Sequence, residues 1–280
     1  MKIARAIILT LFALVVFGTT MTFAGSLSPT TTIAVRAGLL AVFGALWLVA
    51  RGDGAFGRFR PIFFAYFAIV AGLTLSYYGG DALLARLHIA ASTPSGVAIA
   101  KAVQAALIVL GIVVIALTAG QSLGSLQLRK GRLLLGLSLG FLGFVIFLGL
   151  TFLPGGPFFK AVNTAAGLGK LLPLVPWVAL FVLSNAFMEE LLFRGILLER
   201  YEALIGKWLA LLSTALVFAL AHVQVTYTAQ VAGFVAFVFV LGLLWGFLMQ
   251  KSKSIWGSVL FHAGADVAII LPLYQAMLHP

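Results

Sequence analysis

Nine apolar runs, at about residues 6–24, 32–50, 59–78, 96–119, 132–153, 173–198, 208–223, 229–249 and 255–275, take up most of this 280-residue chain. Most are close to the roughly 20 residues that a helix needs to cross a hydrocarbon core about 30 Å thick. In that core every backbone polar group must be satisfied within the protein, which leaves helices and closed barrels. Continuous apolar runs, without strand-like alternation, select the helix. The fold expected is an all-α, polytopic transmembrane helical bundle of eight or nine spans, forming a single membrane domain. With 62% hydrophobic residues, 9% charged residues and a mean hydropathy of +1.16, no sizeable soluble domain fits.

A net charge of +11 in a soluble chain would suggest nucleic acid. Here the basic residues gather in short segments between apolar runs, where they set topology, and no nucleic-acid partner is expected. With the N-terminus inside, thirteen Lys and Arg (Lys2, Arg5, Arg51, Arg58, Arg60, Arg129, Lys130, Arg132, Arg194, Arg200, Lys207, Lys251, Lys253) fall on the cytoplasmic side. Five (Arg36, Arg86, Lys101, Lys160, Lys170) fall outside. The bias favours a cytoplasmic N-terminus, and the localisation expected is multi-pass in a prokaryotic plasma membrane. Lys2 and Arg5 before the first run, and Ala24 near its end, also fit a cleaved signal peptide, but an uncleaved first span suits the charge alternation better.

Trp47, Trp177, Trp208, Trp245 and Trp256 fall near span ends, where an amphipathic ring suits the interface. Gly136 with Gly140, and Gly242 with Gly246, allow close helix approach. Pro173 and Pro176 start the sixth span. Residues 79–95 are expected to form a short interfacial helix, and 154–170 a Pro- and Gly-rich loop. With no Cys in the chain, thiolate chemistry is excluded and catalysis is left to carboxylates, imidazoles and hydroxyls.

Four of the seven acidic residues lie between positions 189 and 202, and Glu189, Glu190 and Arg194 interrupt an apolar span. Ionisable groups at mid-membrane cost roughly 2.5–3.5 kcal/mol each on insertion scales and so mark functional sites. Glu190 and Arg194 are one helical turn apart and can pair. Glu189 is rotated about 100° from Glu190 and is the freer carboxylate. Phe218 and His222 share a face of the seventh run, and His262 and Asp266 a face of the ninth. The helical rise places Glu189 about 15 Å from Arg200, His262 about 13 Å and Asp266 about 20 Å from Lys253, and His222 about 22 Å from Lys207. These depths overlap. They place the expected cavity between the cytoplasmic half and the middle of the core, with water entering from inside.

The segment Glu189–Arg194 reads EExxxR, Phe218–His222 reads FxxxH, and His262–Asp266 reads HxxxN/D. In that order on successive membrane helices, they resemble the CAAX prenyl protease and bacteriocin-processing (CPBP, Abi) family of intramembrane endopeptidases, over about residues 173–275. The resemblance implies a catalytic core at 171–280 and leaves 1–170 as N-terminal transmembrane helices of unassigned role. It implies that Glu189 is the general base on a water, that His222 helps hold the water, and that His262 with Asp266 stabilises the oxyanion. Glu190, Arg194 and Phe218 would support them. The implied partner is a peptide or protein substrate at the lipid bilayer, lipidated in some cases.

Asp266 stands where the family often has Asn, and an ionised Asp cannot donate to an oxyanion. It must be protonated, hold His262 as a cation, or serve another purpose. No cofactor is expected; a zinc ion on Glu189, His222 and His262 is the alternative. Two other functions also fit intramembrane ionisable groups. One is a proton-coupled transporter relaying through Glu189, His222, His262 and Asp266; the other is a noncatalytic scaffold or immunity protein. More simply, Glu190–Arg194 is a structural ion pair, and His262 and Asp266 only pair with each other.

Overall fold

The computed structural model describes residues 1–52, 54–90, 92–151, 153, 172–226 and 228–277. The expected loop at 154–170 therefore lies outside the described residues. Ten α-helices are found among the described residues: α1 (Lys2–Phe17), α2 (Pro29–Val49), α3 (Arg60–Arg86), α4 (Pro94–Thr118), α5 (Leu133–Thr151), α6 (Val175–Glu190), α7 (Glu199–Ile205), α8 (Lys207–Leu220), α9 (Val231–Ser252) and α10 (Trp256–Met277). Among the described residues there is no strand. Eight helical stretches among the described residues are long and apolar enough to cross a membrane, and the protein is an integral membrane helical bundle.

Local chemistry accounts for several starts. Ser28 Oγ accepts from Thr31 N at 3.2 Å ahead of Pro29, and Thr93 Oγ1 accepts from Gly96 N at 3.1 Å ahead of Pro94. In both, a side-chain acceptor satisfies an orphan amide and proline supplies a helical φ without needing its own donor. Pro176 sits in the first turn of α6, as the sequence predicts.

The ends of the helices alternate between two faces of the bundle. Near Met1 lie Lys2, beside Gly206, and the loop where Arg129 Nε donates to the Lys253 carbonyl at 3.0 Å. On the opposite, far face, Thr22 Oγ1 at the end of the first span donates to the Ala221 carbonyl after α8 at 3.3 Å. Helices from both parts of the chain interleave: α4 packs on α6, α5 on α10 and α1 on α8.

Lipid tails are as apolar as the helices, so association rests on close packing. Along α5 and α10 the backbones touch: a Cβ on Gly140 would stand 3.1 Å from Gly257 Cα, and one on Gly264 3.0 Å from the Phe144 carbonyl. Gly136 and Gly140 thus act as the sequence suggests. The α3–α4 crossing at Gly72 and Gly111, where a Cβ on Gly111 would sit 3.1 Å from Gly72 Cα, is not foreseen.

Three expectations change. Residues 79–86 do not form a separate interfacial helix: α3 runs through Gly79 and Gly80 to Arg86. The seventh run yields α8, 14 residues long and too short to span by itself. Trp245 is not an interfacial residue. It is 2% exposed, on a face of α9 directed into the bundle. Counting residues to a span end gives its depth but not the face it occupies.

Candidate active site

The polar groups converge around His262. Its Nδ1 donates to Glu190 Oε1 at 3.0 Å, and its Nε2 lies 3.5 Å from both Glu189 Oε2 and Asp266 Oδ1. The one-residue offset on α6 thus sends the two glutamates to opposite nitrogens of one ring. Glu190 Oε1 also receives Arg194 Nη1 at 2.9 Å, and Glu190 and Arg194 are each fully buried. Arg194 Nη2 donates to the Gly242 carbonyl at 3.1 Å, and its guanidinium lies 4.4 Å from the Phe218 ring centroid. A Cβ on Gly242 would stand 3.3 Å from that Nη2, so the small residue in α9 makes room for the cation.

Directly after Glu190 the backbone changes to a π-helix, Leu191–Leu198, before α7 resumes the α form. The i→i+5 pattern is wider than an α-turn and is often found where side chains must be re-aimed at a site. Periodicity does not reveal it, because the run is apolar on all sides except at Arg194.

Asp266 is held by Asn185, whose Nδ2 donates to Oδ2 at 2.9 Å. Trp245 stacks on His262 with centroids 3.9 Å apart and planes within 13°. Phe218 stands edge-on to both His222 and His262, at 4.8 and 5.8 Å. His222 Nδ1 donates to the Phe218 carbonyl at 2.8 Å, so a neutral ring keeps its lone pair on Nε2.

Glu189, His222, His262 and Asp266 line one cavity of about 250 Å³, joined by Asn185 and Lys101. Glu189 Oε2 is buried without a hydrogen-bond partner in the protein. Glu190 and Arg194 stay behind His262 and do not line the cavity. Its walls run toward the far face, through His222 and Val225 beyond α8, Phe234 at the start of α9, and Leu273 late in α10. The expected approach is from the near face, whereas these lining residues lie toward the far one.

Three further residues of this site are not singled out by the sequence. Asn185 lies one turn before Glu189 on the same face of α6, a signal that was there to be read. Lys101, placed by charge counting at an outer flank, lies within α4 and lines the cavity. Trp245 gave no signal beyond its aromaticity. Among the described residues, no group of three His, Asp or Glu side chains is arranged to hold a metal ion.

No curated protein and no solved structure matches the chain. Residues 171–268, which carry the three motifs, match the family model of the type II CAAX prenyl endopeptidase Rce1-like proteins. The clustered residues on α6 and α10, with His222 just past the end of α8, all fall within that match, and over residues 171–268 the chain is similar to the CAAX prenyl endopeptidases.

Proposed function

We propose that the protein is an intramembrane endopeptidase in which Glu189 activates a water against a peptide bond of a membrane-associated substrate. The observation that carries this is Glu189 Oε2: a buried carboxylate oxygen with no hydrogen-bond partner in the protein, on the wall of a cavity shared with two histidines. A general base must have a free lone pair within reach of the proton it takes, and this oxygen has one.

Glu189 takes one proton of the water as the oxygen adds to the scissile carbonyl carbon. His222, with its Nδ1 proton committed to the Phe218 carbonyl, accepts the second water hydrogen on Nε2 and orients the nucleophile. In the tetrahedral intermediate His262 carries both ring protons, donating to Glu190 through Nδ1 and to the oxyanion through Nε2. Donors fixed before charge develops stabilise it without reorganisation. Asp266, fixed by Asn185, faces the same nitrogen and orients the ring. Glu189 then passes its proton to the leaving nitrogen, the C–N bond breaks, and an acid and an amine are released. Arg194 and Trp245 hold the array from behind.

The decisive test is cleavage of a quenched-fluorescent peptide library by purified protein in nanodiscs. Glu189→Gln is expected to lower kcat by at least about 10²-fold with unfolding temperature unchanged, while a chelator has no effect on the wild type. Retained cleavage in Glu189→Gln would overturn the assignment. Loss with chelator would move the chemistry to a metal.

A further inference from the structure

A second cavity, of about 420 Å³, lies toward the far face among the end of the first span, α2, α3 and α4, with Phe181 as its one lining residue from the family-matched segment. Arg36 and Lys101 both line it. Arg36 is 1% exposed; its Nη2 donates to the Thr20 carbonyl at 2.7 Å and its Nη1 to Thr74 Oγ1 at 3.4 Å, while Nε has no protein partner. Lys101 Nζ donates to Gln104 Oε1 at 2.7 Å, which uses one of its three hydrogens. Among the described residues neither cation is in an ion pair. Asp81 is the carboxylate on this wall, and it is exposed. Two cations of a membrane bundle thus face one cavity whose lining carboxylate, Asp81, is exposed, and Lys101 also feels the charges of Glu189 and Asp266 from the adjoining cavity. Ionisable groups at such depth almost always pair with one another or mark the path of a substrate.

Lys101 and Phe181 line both this cavity and the one containing Glu189. An anion held between Arg36 and Lys101 is therefore adjacent to the hydrolytic site. That adjacency favours a group carried by the molecule being cleaved over a separate bound lipid.

We propose that Arg36 and Lys101 form an anion subsite that holds a carboxylate of the substrate, on the C-terminal end or on an acidic side chain, while its backbone passes Glu189. The subsite rests on the endopeptidase function proposed above and assigns a specificity role to the N-terminal helices.

The test uses the full chain in neutral nanodiscs and two matched pairs of fluorogenic peptides. One pair differs only in a C-terminal acid or amide, the other in a side-chain Glu or Gln. The expected result is a KM about 10- to 100-fold lower for the carboxylate member of one pair, as suits a charge-assisted contact. Which pair responds names the source of the carboxylate. Arg36→Gln and Lys101→Gln should each pull that KM ratio toward one, and Lys101→Arg should restore it. If the buried Arg36 variant fails to fold, Lys101→Gln decides alone. A ratio near one for both pairs in the wild type overturns the subsite. So does a variant that lowers kcat equally on both members with the ratio intact, or cleavage that responds only to added phosphatidylglycerol, which would place a lipid phosphate there. The same pairs, titrated by fluorescence anisotropy onto Glu189→Gln protein, separate the two proposals. A binding preference without any hydrolysis by wild type keeps the subsite and removes the protease assignment.

Discussion

The Glu190–Arg194 pair offers the sharpest test of how this site is held together. Its oxygen and nitrogen are 2.9 Å apart, and both side chains are at most 1% exposed. Removing one partner of such a pair strands the other without solvent, at a cost of about 3–5 kcal/mol. In Arg194→Met, Glu190 keeps its bond to His262 Nδ1 but loses the guanidinium. In Glu190→Gln, Arg194 keeps the Gly242 carbonyl and the face of Phe218. Each remaining contact softens the loss, so each single variant should lie near 3 kcal/mol, the lower end of that range. The double variant leaves no stranded charge and should cost less than the two singles together by at least about 2 kcal/mol, within the range found for residues in direct contact. The assay is reversible unfolding in mixed micelles, titrated with a denaturing detergent and followed by tryptophan fluorescence. Free energies that add within about 0.5 kcal/mol would refute a coupled pair.

Two further outcomes follow from the packing. Trp245→Ala removes the ring stacked on His262 and should cost about 3–5 kcal/mol, whereas Trp245→Phe keeps an aromatic face and should cost clearly less; equal unfolding midpoints would mean that the stack supports nothing. Gly257→Leu drives a side chain into the backbone of Gly136 and should stop accumulation of monodisperse protein, while Gly38→Leu, with no atom within 4 Å of the added Cβ, should behave as wild type by size-exclusion chromatography.

Span positions were legible because bilayer thickness fixes helix length, so hydropathy found the ends of most spans to within a few residues. Charge alternation likewise ordered the helix ends, and contacts such as Arg129 with Lys253 follow that order. It misplaced Arg36, Lys101 and Arg194, which are cations inside spans and not loop residues. The polar stripes of α6, α8 and α10 were legible because i, i+4 spacing holds on any α-helix. The direction of the cavity was not. Depth counted from one end of each helix places Glu189 and His262 at mid-bundle, but whether space opens above or below them depends on which bulky side chains fill each side. Here that follows from the rotation of α9 and the π-turn of α6, neither of which has a periodic signature.

The division between the two parts of the chain has a physical consequence for specificity. Glu189, both histidines and Asp266 all come from residues 171–268, so the proposed chemistry lies within the family-matched segment. Yet Lys101 on α4 completes the wall of that cavity, and the adjoining cavity is built mainly from α3 and α4, with Arg36 of α2 and the end of the first span. Water activation needs only a base and donors, and these suit any peptide bond. On the proposed function, what enters is decided by the charges and shape next to them, to which the first four helices contribute through Lys101 and the adjoining cavity. Changes at Arg36 or Lys101 are then expected to alter substrate choice while leaving Glu189 and His262 in place.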